Sequence, residues 1–85
     1  MRIFRTSDLE AAYAEAPDAV QRSFDRCIEF LARDFRHPSL RSKPWPENGP
    51  NCYYARLTSG WRFYYQRQGD DAVVYWMQKH PKKGG

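Results

Sequence analysis

Residues 52–77 read CYYARLTSGWRFYYQRQGDDAVVYWM, and their period decides the fold. Tyr53, Ala55 and Leu57 alternate with Tyr54 and Arg56; after Thr58-Ser59-Gly60, Trp61, Phe63 and Tyr65 alternate with Arg62, Tyr64 and Gln66. A period of two marks strands with one face on a core, and the three residues between them have turn chemistry. Gln68-Gly69-Asp70-Asp71 is a second turn, followed by a third strand, Ala72-Val73-Val74-Tyr75-Trp76-Met77. Three consecutive strands joined by tight turns predict an antiparallel meander whose apolar face needs a cover.

The cover lies upstream. Val20, Phe24, Cys27, Ile28, Leu31 and Phe35 fall on one stripe at the helical period, with Arg22, Asp25, Arg26, Glu29 and Arg33 on the other side. This predicts a helix over 18–35, with Pro17 at its first position, where no amide hydrogen is missed. A shorter helix over about 8–14 precedes it, and Ser7 with Glu10 fits a capping box. Met1-Arg2-Ile3-Phe4-Arg5 reads as a first strand. The expected architecture is α+β, in the order β-α-α-β-β-β, an antiparallel sheet packed against a helical hairpin in one domain over 1–85.

Residues 36–51, RHPSLRSKPWPENGPN, hold four prolines and read as a long loop without regular structure, anchored by Leu40 and Trp45. The polar tail from His80 is expected to be flexible. At 85 residues only about 60–65 % of the unfolded surface can be buried, so any site must be a shallow groove rather than a deep tunnel. The net charge of +4 hides an asymmetry: residues 1–35 carry five basic and seven acidic side chains, residues 36–85 nine basic and three acidic. The second half, at +6, is where a polyanion would be met. Two cysteines make no disulfide framework, and no Cys/His cluster has zinc spacing, so neither a metal nor another cofactor is implied. The charged N-terminus is unlike a signal peptide and no apolar run is long enough to span a membrane, which makes the cytoplasm the expected compartment.

Pleat geometry places Tyr54, Arg56, Arg62 and Tyr64 together on the face away from the helices if Trp61, Phe63 and Tyr65 face them. Arginine forks grip phosphate oxygens and tyrosine rings stack on unpaired bases, a combination suited to single-stranded RNA; half-exposed Arg and Tyr are also ordinary residues of a solvated strand. Arg41, Lys43, Lys79 and Lys82 flank this sheet in sequence and are expected to rim the same groove, while the acidic residues sit mostly in the helices. His80 is of the type that exchanges protons near neutral pH, and equally reads as a surface histidine in a tail. His37 reads as structural, satisfying turn amides. Cys27 and Cys52 read as small buried hydrophobes.

The helix hairpin, the loop His37-Pro38-Ser39-Leu40-Arg41-Ser42-Lys43-Pro44, the strand Tyr53-Tyr54-Ala55-Arg56-Leu57, the strand Trp61-Arg62-Phe63-Tyr64-Tyr65 and the run into His80 together resemble the RelE/ParE superfamily of toxins from bacterial toxin–antitoxin pairs. The resemblance covers roughly residues 2 to 80. It implies a ribosome-dependent mRNA endonuclease that inhibits translation, without a metal, by attack of a ribose 2'-hydroxyl on the adjacent phosphate. Carried over by position, Arg62 would stabilise the phosphate in the transition state, Arg56 would neutralise and assist, and His80 resembles the terminal histidine of the HigB-like and YoeB-like branches. Lys43 and Lys79 would bind ribosomal or message backbone. The implied partners are a cognate antitoxin protein, the ribosome and mRNA.

The match departs from RelE itself in two places: the C-terminal helix with its tyrosine is absent, and Tyr54 stands where RelE has a lysine. A ParE-like gyrase inhibitor without nuclease activity and an inactive relative that only binds antitoxin stay open as readings.

Overall fold

The period-two stretch folds as two successive hairpins in the computed structural model, which describes residues 1–80. The elements are β1 (Arg2–Arg5), α1 (Ser7–Glu15), α2 (Asp18–Arg33), β2 (Lys43–Pro44), β3 (Cys52–Arg56), β4 (Trp61–Gln68) and β5 (Asp71–Lys79). Sheet order is β1-β5-β4-β3-β2. The meander β3-β4-β5 is antiparallel, and β1 adds beside β5 in parallel, with Ile3 opposite Ala72. Among the described residues no helix is long and apolar enough to cross a membrane.

Both helices cover one face of the sheet. The core joins Leu9, Val20, Phe24, Cys27 and Leu31 of the helices to Ala55, Leu57, Phe63, Tyr65, Ala72, Val74 and Met77 of the sheet. The inward set of β3 and β4 is the one expected from alternation. On β5 the alternation breaks: Tyr64 pairs with Trp76 but Tyr65 pairs with Val74, so Tyr75 is an extra, bulged residue. The bulge lets Val74 and Met77, three apart, both face the core, and leaves Tyr75 and Trp76 for the outer face.

Local differences from expectation have local causes. The cap of α1 is Thr6, not Ser7: its hydroxyl accepts from the Leu9 amide at 3.1 Å. Glu10 turns instead to Arg5, which grips it with two guanidinium nitrogens at 3.1 Å each. Pro17 is the residue before α2, its carbonyl accepting from Val20 and Gln21. Helix α2 ends at Arg33, short of Phe35, because Asp34 is extended.

The proline-rich loop is more ordered than expected, with two short 3-10 turns, 38–40 and 46–48, flanking β2. Leu40 is fully buried in the core, as anticipated. Trp45 anchors elsewhere, against Tyr64 on the outer face at 4.8 Å between ring centroids. The tail beyond His80, Lys82 included, lies outside the described residues.

Two measurements check this account. Thr6→Ala should cost about 1 kcal/mol in urea denaturation, whereas Ser7→Ala should stay within about 0.5 kcal/mol. Burial pushes the Tyr65 hydroxyl above its ordinary value near 10, with the Ser42 hydrogen bond pulling weakly the other way. A raised folded value means stability that is complete below pH ~10 and is lost as pH rises through the folded value. The urea midpoint should therefore fall above about pH 10, and Tyr65→Phe should flatten part of that fall.

Candidate functional site

The hairpin turn between β3 and β4 builds the site. Ser59 and Gly60 both take positive φ, 59° and 79°, which lets three residues reverse the chain. The Leu57 amide closes the turn on the Trp61 carbonyl at 2.8 Å. The Gly60 carbonyl in turn accepts from the His80 amide at 2.8 Å, so the turn holds the end of β5 in place. Arg56 and Arg62 pair directly across the hairpin. From the loop comes Arg41, held in the left-handed region with φ 50° and ψ 39°. That conformation costs a non-glycine residue on the order of 1–2 kcal/mol, and such strain concentrates at functional sites.

These parts meet in one cleft of about 340 Å³, lined by Arg41, Arg56, Arg62 and His80 with Leu57, Gly60 and Trp61. No Asp or Glu lines it. The two ion pairs among the described residues, Arg2–Asp71 and Arg5–Glu10, both use arginines of β1 at the opposite edge of the sheet. Like charges directly opposite on neighbouring strands repel, and Arg56 faces Arg62 without a carboxylate between them. Arg62 is steadied from below, its guanidinium 4.4 Å from the centroid of the Tyr54 ring. The cleft therefore offers a pre-set cluster of cations with the His80 imidazole among its lining.

Of the residues singled out in the sequence, the cleft gathers Arg41, Arg56, Arg62 and His80 and, among the described residues, excludes the others. Tyr54 lies under Arg62. Tyr64 is only 5 % exposed, its ring covered by Trp45, Tyr54 and Tyr75, so it presents no open ring for stacking, whereas Trp76 is 40 % exposed on the same face. Lys43 is opposite Tyr54 on the outer face. Lys79 pairs with Trp61, whose side chain packs on the core, and so points to the helix side of the sheet rather than sharing the face of Arg62. The basic groove is thus at the end of the sheet, not across its open face, because aromatic rings fill that face.

The bland readings of the remaining candidates hold. His37 accepts the Ser39 amide at 3.1 Å and stacks on Phe30 at 4.2 Å, a turn-stabilising role. Burial pushes the Cys27 thiol up, with Arg26 opposing weakly, which disfavours a thiolate. Among the described residues no three His, Cys, Asp or Glu side chains gather as a metal-binding group. A residue not singled out, Arg67, stacks 3.7 Å over the Phe35 ring, with a buried Nε that has no partner.

A five-stranded mixed sheet, a helical hairpin on one face and an arginine-lined cleft at the β3–β4 turn define a class of small α+β domain. The fold is that of the RelE/ParE toxins. No protein-family model and no curated protein matches the chain in sequence. Its structural neighbours include RelE, YoeB, YafQ and YoeB/ParE toxins. The isolated RelE toxin of E. coli superposes with a TM-score of 0.80 at 16 % identity, covering 98 % of this chain and 87 % of that one. A YoeB/ParE toxin from Agrobacterium tumefaciens gives 0.78 at 16 % identity, over 95 % and 100 %. A chain of the intact E. coli RelBE toxin–antitoxin complex gives 0.77 at 17 % identity, over 95 % and 98 %.

The repulsion across the hairpin has a measurable consequence. Arg56→Gln should raise stability in low salt by about half a kcal/mol, and the gain should shrink as salt near 1 M screens the pair. A urea titration at both ionic strengths reads the difference.

Proposed function

We propose that the protein is the toxin of a toxin–antitoxin pair and an endoribonuclease acting on mRNA at the ribosome. One observation carries this reading: three arginines without carboxylate partners among the described residues and one histidine converge on a cleft in a RelE-like fold. An open, cationic cleft suits a phosphodiester, whose non-bridging oxygens gain charge as the phosphorus becomes five-coordinate. In the proposed reaction the substrate's own 2'-hydroxyl attacks the phosphorus, the bond to the 5'-oxygen breaks, and the products are a 2',3'-cyclic phosphate and a 5'-hydroxyl. The attacking hydroxyl loses one proton and the leaving oxygen gains one.

Arg62, set by the Tyr54 ring, and Arg56 opposite it stabilise the phosphoryl oxygens as their charge grows. Arg41 supplies a third cation from the loop. His80, tied through its amide to Gly60, exchanges the proton with the leaving or attacking oxygen. Exposed Trp76, in a hollow of the outer face separate from the cleft, offers a stacking surface for a base beyond it. The neighbours include toxins crystallised with their antitoxins, which supports an antitoxin as the partner of this chain.

Induced expression should arrest growth, with new transcript ends inside translated codons. Arg62→Ala should lower cleavage by roughly 10²–10³-fold and His80→Ala by roughly 10²–10⁴-fold, in proteins that still unfold in one cooperative transition. Mapping transcript ends after induction checks this. Full toxicity of a folded Arg62→Ala protein would remove the catalytic assignment, and intact transcripts with blocked DNA supercoiling would favour a gyrase inhibitor instead.

A further inference from the structure

The cleft does not end at Arg41 and Arg56. Both residues, with Leu57, also line a larger groove of about 590 Å³ between α2 and the loop, which adds Arg26 and Ser23. That groove in turn shares Ser23, Arg26 and Thr58 with a third hollow of about 230 Å³, which adds Arg22. Three hollows joined by shared walls form one path from His80 at the end of β5 to the first turns of α2. Five arginines line it in all, and no Asp or Glu does. Asp25, the neighbouring acid on α2, is held by the Tyr13 hydroxyl at 3.0 and 3.1 Å.

We infer that this path is a binding track for single-stranded RNA, carrying the strand away from the cleft over α2. The inference rests on the proposed reaction for the identity of its occupant and extends the site beyond it. A polymer held at one phosphodiester must leave the cleft, and the cations mark the way out. Arg22 and Arg26 are one helical turn apart, a rise of about 6 Å, of the same order as the step between phosphates of an extended strand. Both side chains are exposed. The Ser23 hydroxyl accepts the Thr58 amide at 3.2 Å, which locks the hairpin turn to the helix and leaves its hydrogen free to donate. Phe30 and Leu57 add apolar wall for bases to rest against.

The test uses the full chain with Arg62→Ala, so that cleavage does not enter the reading, and compares it with the same chain carrying Arg22→Gln and Arg26→Gln. Labelled oligouridylates of about four and about twelve nucleotides are titrated by fluorescence anisotropy over a range of salt. The expected result is tighter binding of the long RNA, a loss of most of that advantage in the glutamine variant, and a salt slope lower by about 1.4, roughly 0.7 per arginine removed on a single strand. Binding of the short RNA should change little. Equal affinity and slope for the long RNA in both proteins overturns the track. A polyglutamate of matched length that loses more affinity than the RNA also overturns it, making the path a peptide site. Because binding is read without cleavage, the track can stand where the nuclease reading fails, and the reverse.

Discussion

The edge-to-face contact between Phe24 and Phe63, 5.3 Å between centroids at 85°, is the joint on which the functional geometry depends. Phe24 is central to the apolar stripe of α2 and Phe63 is central to β4, and both are fully buried. Fixing these rings fixes the helix against the strand that carries Arg62. It also sets Ser23, next to Phe24, where it meets the Thr58 amide of the β3–β4 turn. Through that turn the position of His80 follows, since its amide is bonded to Gly60. A loss of packing here would therefore be felt at the cleft as misplacement before it was felt as unfolding. The surrounding rings reinforce the joint: Tyr13 packs on Phe24 at 5.5 Å and Tyr65 on Phe63 at 5.9 Å.

Charge is distributed by the same logic. The arginines of β1 are neutralised, Arg2 by Asp71 and Arg5 by Glu10, at the edge remote from the cleft. Those at the β3–β4 end have no carboxylate partner among the described residues. Their mutual repulsion works against folding, and the bidentate pairs at the far edge, exposed as they are, offset little of it. An arrangement that costs stability in the free protein and is relieved by a bound anion is the expected signature of an anion site, since a ligand that binds the folded state stabilises it by mass action.

Much of this was legible from local pattern. Alternation along residues 52–66 assigned the inner and outer faces of β3 and β4 correctly, because the pleat is a property of each strand alone. It also placed Arg56 and Arg62 side by side, since a three-residue turn leaves little freedom of register. What local pattern could not reveal depends on distant partners. The parallel pairing of β1 with β5 brings together residues some 70 apart in the chain, as Arg2 and Asp71 show. The bulge at Tyr75 answers to the register of β4. Tyr64 was misjudged because its outer face is covered by Trp45, which arrives from a loop with no period to read. Lys79 was misplaced for a related reason: beyond the bulge, its face is set by pairing with Trp61. Thr6 and Ser7 are adjacent hydroxyl residues that satisfy the same cap rule, and only the backbone decides between them.

The arginines of α2 were hidden by arithmetic. Residues 1–35 are acidic in sum, five basic side chains against seven acidic, and that sum conceals a basic side of α2. Charge on a helix acts by face rather than by sum. Arg22 and Arg26, four apart, lie on one side, and Asp25 between them is turned toward Tyr13. The signal that would have found them is their i,i+4 spacing, read together with the hydroxyls of Ser23 and Thr58. A thin domain has no interior in which to build a site, so it builds at a seam where a helix, a loop and a hairpin turn each contribute a side chain. The relevant charge is then the charge along the seam, and here it is uniformly positive.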